Sequence, residues 1–421
     1  MALTGGTVVA NAITACATPV VTRLYTPAQI GVISLFLAFF GFWSSLLSWR
    51  YESALLIASD DAESHVVFRV GSLCVVLMSV FALPALLILR NDNVLGFGLL
   101  PWWSAWLTVP ILLGYGQFMM YRSWALRGGI VKDIGKAAVA RSASNVITRV
   151  VLGTAGVGVP GLFAAELMGA WGATGSLYRN VNRRFAASRP SIDWPKLKTA
   201  MMRYSKFATF ELPSTAINQL ALTIPVPMVA ALYGPTPAGW FGLARLIVAI
   251  PNAQIGAAVA DVFQMELARA VREHRYADAK QLFFKLLRKL ALFGLLPLAL
   301  TMVLGPTCVP FVLGSSWTQM GIISACIAPW LYAALVVSTL SRLLSVLQVQ
   351  QYKLAYDILT TSMTILVYFI ARSTAMGMMH MIELMSASNV IAYGGYLALL
   401  VFVARTRLRD PAVVRHQELE K

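Results

Sequence analysis

The sequence predicts an all-α integral membrane protein with about twelve transmembrane helices, arranged as two six-helix lobes related by an axis along the membrane normal. Three observations lead there. Of 421 residues, 58% are hydrophobic and only 12% charged, whereas soluble globular domains carry about 25% charged residues. Apolar runs long enough to cross a bilayer recur twelve times. A short motif near the start recurs half a chain later. The shortage of charge excludes an ordinary soluble enzyme. Thirty glycines and nineteen prolines exclude a simple coiled coil but suit membrane helices, which tolerate both.

A helix needs roughly 20 apolar residues to cross about 30 Å of hydrocarbon. The runs fall at 3–22, 28–49, 66–89, 97–120, 142–159, 161–178, 207–232, 240–262, 290–313, 320–341, 354–371 and 378–403. They are continuous rather than alternating, which disfavours a β-barrel. The first begins at Met1 without a basic leader, and Ala17 and Pro19 make a poor cleavage site, so it reads as a retained span. Cys16, Cys74, Cys308 and Cys326 lie in apolar runs at unrelated spacings, which fits buried packing and neither a metal nor a disulfide framework.

Basic residues orient the bundle. Twenty-nine of the 34 lysines and arginines fall in alternate loops, counting Arg69 at the edge of the run at 66–89, and in the C-terminal tail. Arg23, Arg90 and Arg372 lie on the opposite side, and Arg149 and Arg245 fall inside spans. This positive-inside asymmetry puts both termini in the cytoplasm. The net charge of +16 could suggest nucleic-acid binding. Clusters in short loops on one membrane face are explained by topology and anionic headgroups instead, so no nucleic-acid partner is expected.

Pro19, Val21, Leu24, Tyr25, Pro27 and Gly31 reappear as Pro227, Val229, Leu232, Tyr233, Pro235 and Gly239, all at an offset of 208 residues. Both copies close an odd-numbered span and open the next. Span 7 has the orientation of span 1, so the repeat is parallel, as in several transporter families. The expected organisation is a lobe over 1–180, a basic linker over 181–206, a lobe over 207–404 and a tail over 405–421. Pro213, Pro225 and Pro227 interrupt span 7 and favour kinks.

Several stretches carry a family resemblance: Arg-Leu-Tyr-Thr-Pro at 23–27 followed by Gly31, Trp-Arg-Tyr-Glu at 49–52, and Asp60 with Asp61. Further along are Arg-Tyr-Ser-Lys-Phe at 203–207, Tyr-Gly-Pro at 233–235, Gly-Ser-Ser-Trp at 314–317, Ala-Pro-Trp at 328–330 and Ser-Arg-Leu-Leu-Ser at 341–345. In order and position they resemble the Wzx-type O-antigen flippases, the polysaccharide transporter branch of the multidrug/oligosaccharidyl-lipid/polysaccharide exporter superfamily. The resemblance covers essentially the whole chain, except that a longer, more basic leader is expected before span 1. It implies a bacterial inner-membrane carrier that moves undecaprenyl-diphosphate-linked oligosaccharide to the periplasmic leaflet. It also implies coupling to an H⁺ or Na⁺ gradient or membrane potential and no nucleotide-binding domain. The sequence agrees in having no phosphate-binding G-x-x-x-x-G-K-[ST] run. No cofactor is expected, and the transport unit is expected to be a monomer among membrane lipids.

Such cargo directs attention to charge within the spans, which costs about 2.5–3.5 kcal/mol per residue on insertion scales. Arg149 in span 5 and Arg245 in span 8 are expected to face a central cavity from the two lobes, because forked guanidinium donors bind two phosphate oxygens at once. Arg23 and Arg50, at opposite ends of the first hairpin, are further substrate candidates. The alternative for Arg149 is an ion pair with Glu166 of span 6, and the two readings are compatible. Arg50 and Glu52 cannot share one helical face, and Trp49, Arg50 and Tyr51 read as an interfacial anchor. Asp60 with Glu63 reads as a capping box opening span 3. Glu211 in span 7 and Asp357 in span 11 are candidates for ion coupling, along with Glu166, against a reading in which they snorkel to the interface. His65, His274, His380 and His416 fall in or beside loops. Residues 264–289 have the spacing of an amphipathic helix lying on the inner surface, and glycan-assembly enzymes are conceivable partners there.

A polytopic polysaccharide polymerase or ligase would need a large outer loop carrying acid–base or metal chemistry, and every outer loop is short. A multidrug exporter of the same superfamily is closer, but acidic rather than arginine-bearing spans are expected of one.

Overall fold

The computed structural model describes residues 2–185, 193–347, 349 and 351–408. These residues are helical with short turns and contain no strand. The first part holds α1 (Ala2–Leu24), α2 (Pro27–Ser44), α3 (Tyr51–Ile57), α4 (Asp61–Asn91), α5 (Ser104–Arg127), α6 (Val131–Thr154), α7 (Val159–Phe185) and α8 (Trp194–Arg203). It continues through a π turn (Phe207–Glu211) into α9 (Leu212–Thr223), α10 (Pro225–Tyr233) and α11 (Pro235–Arg272). The last helices are α12 (Tyr276–Leu313), α13 (Thr318–Leu340), α14 (Arg342–Val346), α15 (Gln351–Ser373) and α16 (Met378–Arg407).

Each of the twelve expected spans overlaps a long helix or, for 207–232, the consecutive segments from Phe207 to Tyr233. Eight helical segments among the described residues are long and apolar enough to cross a membrane. The other four spans correspond to α5, α6, α7 and α11, whose apolar runs contain Gln117, Asn145 and Arg149, Glu166, and Arg245 respectively.

Local chemistry sets the ends. The Thr26 hydroxyl accepts from the Gln29 amide and the Gln29 side chain accepts from the Thr26 amide, with Pro27 opening α2. This reciprocal cap satisfies two orphan donors. The run at 28–49 ends early, because α2 stops at Ser44 and Trp49 and Arg50 adopt positive φ of 49° and 65°. The run at 97–120 starts late. Residues Val94–Leu99 form a 3-10 turn with Leu95 and Gly96 at positive φ, so α5 begins only at Ser104. Asp60 caps α4 as expected, accepting from the Glu63 amide at 2.7 Å, but Glu63 reaches back to the Ser59 amide rather than to that of Asp60.

The amphipathic stretch at 264–289 is not a separate surface helix. It is the end of α11 and the start of α12, joined by a turn at Glu273–Arg275. Its apolar face, with Leu267 and Phe283 fully buried, packs with Leu340, Leu343, Leu400 and Val403 into one core.

The chain forms two compact units, Met1–Gly242 with Val312–Ser316, and Leu243–Phe311 with Trp317–Lys421. The division falls within α11, later than the boundary at 207 that the repeat suggests. The first unit is built around fully buried Phe36 and Phe163, whose ring centroids lie 4.6 Å apart, with α6 packed on both α1 and α7. In the second, α16 packs on α13 and α15. Of the expected linker, α7 covers residues through Phe185 and α8 covers Trp194–Arg203, while 186–192 lie outside the described residues. The tail beyond 408, with His416, also lies outside them.

The two copies of the repeat meet within the first unit. A Cβ on Gly31 would overlap the Pro235 carbonyl oxygen, and one on Gly239 would overlap that of Pro27.

Candidate functional site

Charged groups within and beside the spans gather at three places. The first is at the basic end of the first unit, where α2 gives way to α3. The left-handed backbone at Trp49 and Arg50 turns the chain sharply, at a cost that non-glycine residues bear only when surroundings impose it. The turn lets Arg50 point both ways. Its Nη1 donates to Glu52 Oε1 at 2.8 Å and its Nη2 pairs with Glu211 Oε1. Ser48 donates to the other Glu52 oxygen. The helical-face argument against an Arg50–Glu52 contact therefore fails, because Arg50 precedes α3 rather than belonging to it. The interfacial-anchor reading needs correction at Tyr51, which is 2% exposed, whereas Trp49 is 38% exposed. Glu211 does not simply snorkel. It closes the π turn just before Pro213, whose ring cannot continue regular α-helical bonding, and meets Arg50 there.

The same end is clasped further out. Arg203 Nη1 donates to Glu63 Oε1 at 2.6 Å, the Tyr51 hydroxyl donates to the Met201 carbonyl at 3.3 Å, and Arg127 Nη1 donates to the Ala58 carbonyl at 2.6 Å. Burial raises the Glu63 carboxyl. The Ser59 amide and hydroxyl, Tyr204 and the Arg203 charge outweigh that and hold it below the usual carboxylate range.

The second place lies between α6 and α7. Arg149 Nη2 donates to Glu166 Oε1 at 2.6 Å, and Asn145 Nδ2 donates to the same oxygen at 3.1 Å and to the Ala165 carbonyl. The Tyr25 hydroxyl donates to the Arg149 carbonyl at 2.9 Å, which ties α1 to the pair. With side chains 18% and 10% exposed, this is the internal ion pair that the sequence leaves open.

The third place is in the second unit. Arg245 lies 5.3 Å from the Trp330 ring centroid and interacts electrostatically with Tyr393. The Tyr393 ring packs 5.4 Å from Tyr356, which stacks on Tyr396 at 4.0 Å. Asp357, beside Tyr356 on α15, is 8% exposed, so it too is buried rather than snorkelling. Arg23 is exposed in the last turn of α1, where the helix dipole favours a cation.

Sequence reasoning missed the Arg50–Glu211 contact and the tyrosine cluster. Contacts 161 residues apart leave no periodic trace, although Pro213 beside Glu211 marks a break. A separate, mostly apolar cavity of about 290 Å³ lies among α11, α12 and α13, lined by residues including Ile247, Pro297, Gly305 and Tyr332. No group of three or more metal-ligating side chains occurs among the described residues.

These features define a multi-pass helical membrane protein that holds paired and aromatic-capped arginines within or at the ends of its spans. A family model described as polysaccharide biosynthesis protein matches residues 20–322, and the chain belongs to that family. None of the curated proteins compared is significantly similar in sequence. Among solved structures, an inward-facing multidrug resistance MATE family transporter of the MOP superfamily is similar with TM-score 0.71 and 16% identity, covering 94% of each chain. The lipid II flippase MurJ in an inward closed conformation aligns at TM-score 0.69 and 12% identity, covering 96% of this chain and 91% of the other. A MOP superfamily transporter from Pyrococcus furiosus aligns at TM-score 0.57 and 15% identity, covering 97% and 94%. These likenesses establish the shared fold.

Proposed function

We propose that the protein is a flippase of the bacterial inner membrane. It moves undecaprenyl-diphosphate-linked oligosaccharide from the cytoplasmic to the periplasmic leaflet by alternating access, with both termini in the cytoplasm. Membership of a polysaccharide biosynthesis family carries this reading, and a fold shared with MurJ, described as a lipid II flippase, is compatible with it. Arg245 and Arg50 are the diphosphate-binding groups, and Arg23 meets the cargo at the periplasmic end. Arg149, held by Glu166, fixes α6 against α7.

The Arg50 cluster offers a route to ion coupling by H⁺ or Na⁺. Arg50 lies against two carboxylates, which compete with a diphosphate for the same guanidinium. A cation on Glu211 neutralises one competitor and frees donors for the cargo. Asp357 serves the same purpose in the second unit. The lipid diphosphate and coupling ion are the only ligands required, and no covalent step is involved.

Deletion followed by analysis of lipid-linked glycan tests the proposal. Accumulation on the cytoplasmic side, reversed by the intact chain but not by a form lacking Arg245, is the expected result. Normal surface polysaccharide without accumulation, in a strain with no second flippase, overturns it.

A further inference from the structure

Helices α1 and α6 cross closely near the basic end of the first unit. A Cβ on Gly6 would overlap the Gly135 backbone. Deeper along the crossing, the Thr14 and Ser142 hydroxyls lie 2.8 Å apart, and Ser142 donates to the Ala10 carbonyl at 2.7 Å. Beside the glycine contact the surface is cut by a groove of about 420 Å³. Its walls include Gly5, Gly6, Val9 and Val139, with Lys132 and Lys136 one helical turn apart on α6.

The groove is graded from charge to hydrocarbon. Both lysines stand in the first two turns of α6, at the depth where long cationic side chains reach a headgroup layer. Val139 lies further into the helix, and Val8 and Val9 of α1 turn apolar surface outward at 51% and 49% exposure. No hydroxyl, amide or carboxylate side chain is among the lining residues, so the walls offer a glycan nothing to hydrogen-bond. A free anion would gain nothing from the apolar walls. An amphiphile with an anionic head uses both parts. Asp133 occupies Lys136 in part, at 3.2 Å, whereas Lys132 makes no ion pair among the described residues.

We propose that this groove binds one anionic phospholipid, with its phosphate at Lys132 and Lys136 and an acyl chain along Val9 and Val139. The lipid bridges α1 and α6 and fastens α1 at the end where little else holds it. The proposed orientation of the chain makes this a lipid of the cytoplasmic leaflet. The site itself does not depend on what the protein carries.

The test uses the purified full chain in detergent, with native mass spectrometry and thermal unfolding as readouts. One phosphatidylglycerol per chain is expected to be retained and to raise Tm, and phosphatidylcholine to do neither. K132Q/K136Q should weaken retention about fivefold for each charge removed. K285Q/K289Q, exposed lysines with the same spacing on α12, should leave it unchanged. G5W keeps both lysines and puts a side chain where a Cβ meets no neighbour, so it should abolish retention by filling the groove. Equal retention of the two lipids, equal loss in K285Q/K289Q, or full retention in G5W overturns the proposal. Two competitors separate other ligands. Displacement by glycerol 3-phosphate would make this a phosphate site only, and preferential binding of undecaprenyl phosphate would make it a cargo site. Either result overturns the phospholipid assignment.

Discussion

Arg149 and Arg50 are both intramembrane-facing arginines beside carboxylates, yet their settings predict different mutant behaviour. Breaking a buried ion pair by removing one partner costs about 3–5 kcal/mol, because the remaining charge is stranded. Arg149→Ala should therefore lower the protein level and Tm, and the double variant R149M/E166L should recover them. Normal Tm with lost export would instead assign Arg149 to the cargo. Arg50→Lys keeps the charge but loses the fork that serves Glu52 and Glu211 together. Protein level should persist while export falls. Glu211→Gln should weaken the dependence of export on the ion gradient, measured as glycan export across a range of imposed gradients. Charge in the spans was legible from sequence because it is rare there. Which arginine pairs with which acid was not, since the left-handed turn at Trp49 and Arg50 has no glycine or asparagine to announce it.

Helix by helix, each apolar run fell on helix, whereas the ends moved wherever a turn depended on tertiary contact. The stretch at 264–289 shows why. Alternating charge and leucine reads equally as a surface helix or as two helix ends in a hairpin, and only the buried partners on α13, α14 and α16 decide. Leu267→Ala and Phe283→Ala remove fully buried side chains and should cost about 2–5 and 3–5 kcal/mol, respectively. A surface helix would tolerate both, and thermal unfolding in detergent distinguishes the cases. The Glu63–Arg203 contact between α4 and α8 has a defined pH signature. Because the folded carboxyl sits below its ordinary value of 4.5, its stabilisation is present above that value and is lost as pH falls through the lower folded one. Arg203→Ala should diminish this acid sensitivity, read as a smaller fall in Tm between neutral and acid pH.

At the scale of the molecule, the lopsided +16 charge resolves into an expected topology and a small functional remainder. Fluorescent reporters fused to either terminus should glow, and alkaline phosphatase at the same sites should stay inactive. The opposite pattern at one end would mean an odd number of spans. The duplication was readable at six positions, and the contact of Pro27 and Gly31 with Pro235 and Gly239 agrees with a two-fold origin. Yet the halves have not remained alike. α1 runs unbroken for 23 residues, whereas its counterpart is cut into a π turn and two helices of 12 and 9 residues. A duplicated chain begins with interchangeable struts, and here one stayed a rod while its twin became a jointed limb. Damage should be tolerated unequally. A proline introduced in mid-α1 creates a new break costing about 3 kcal/mol or more. In the jointed limb, prolines already mark where the rod gives way.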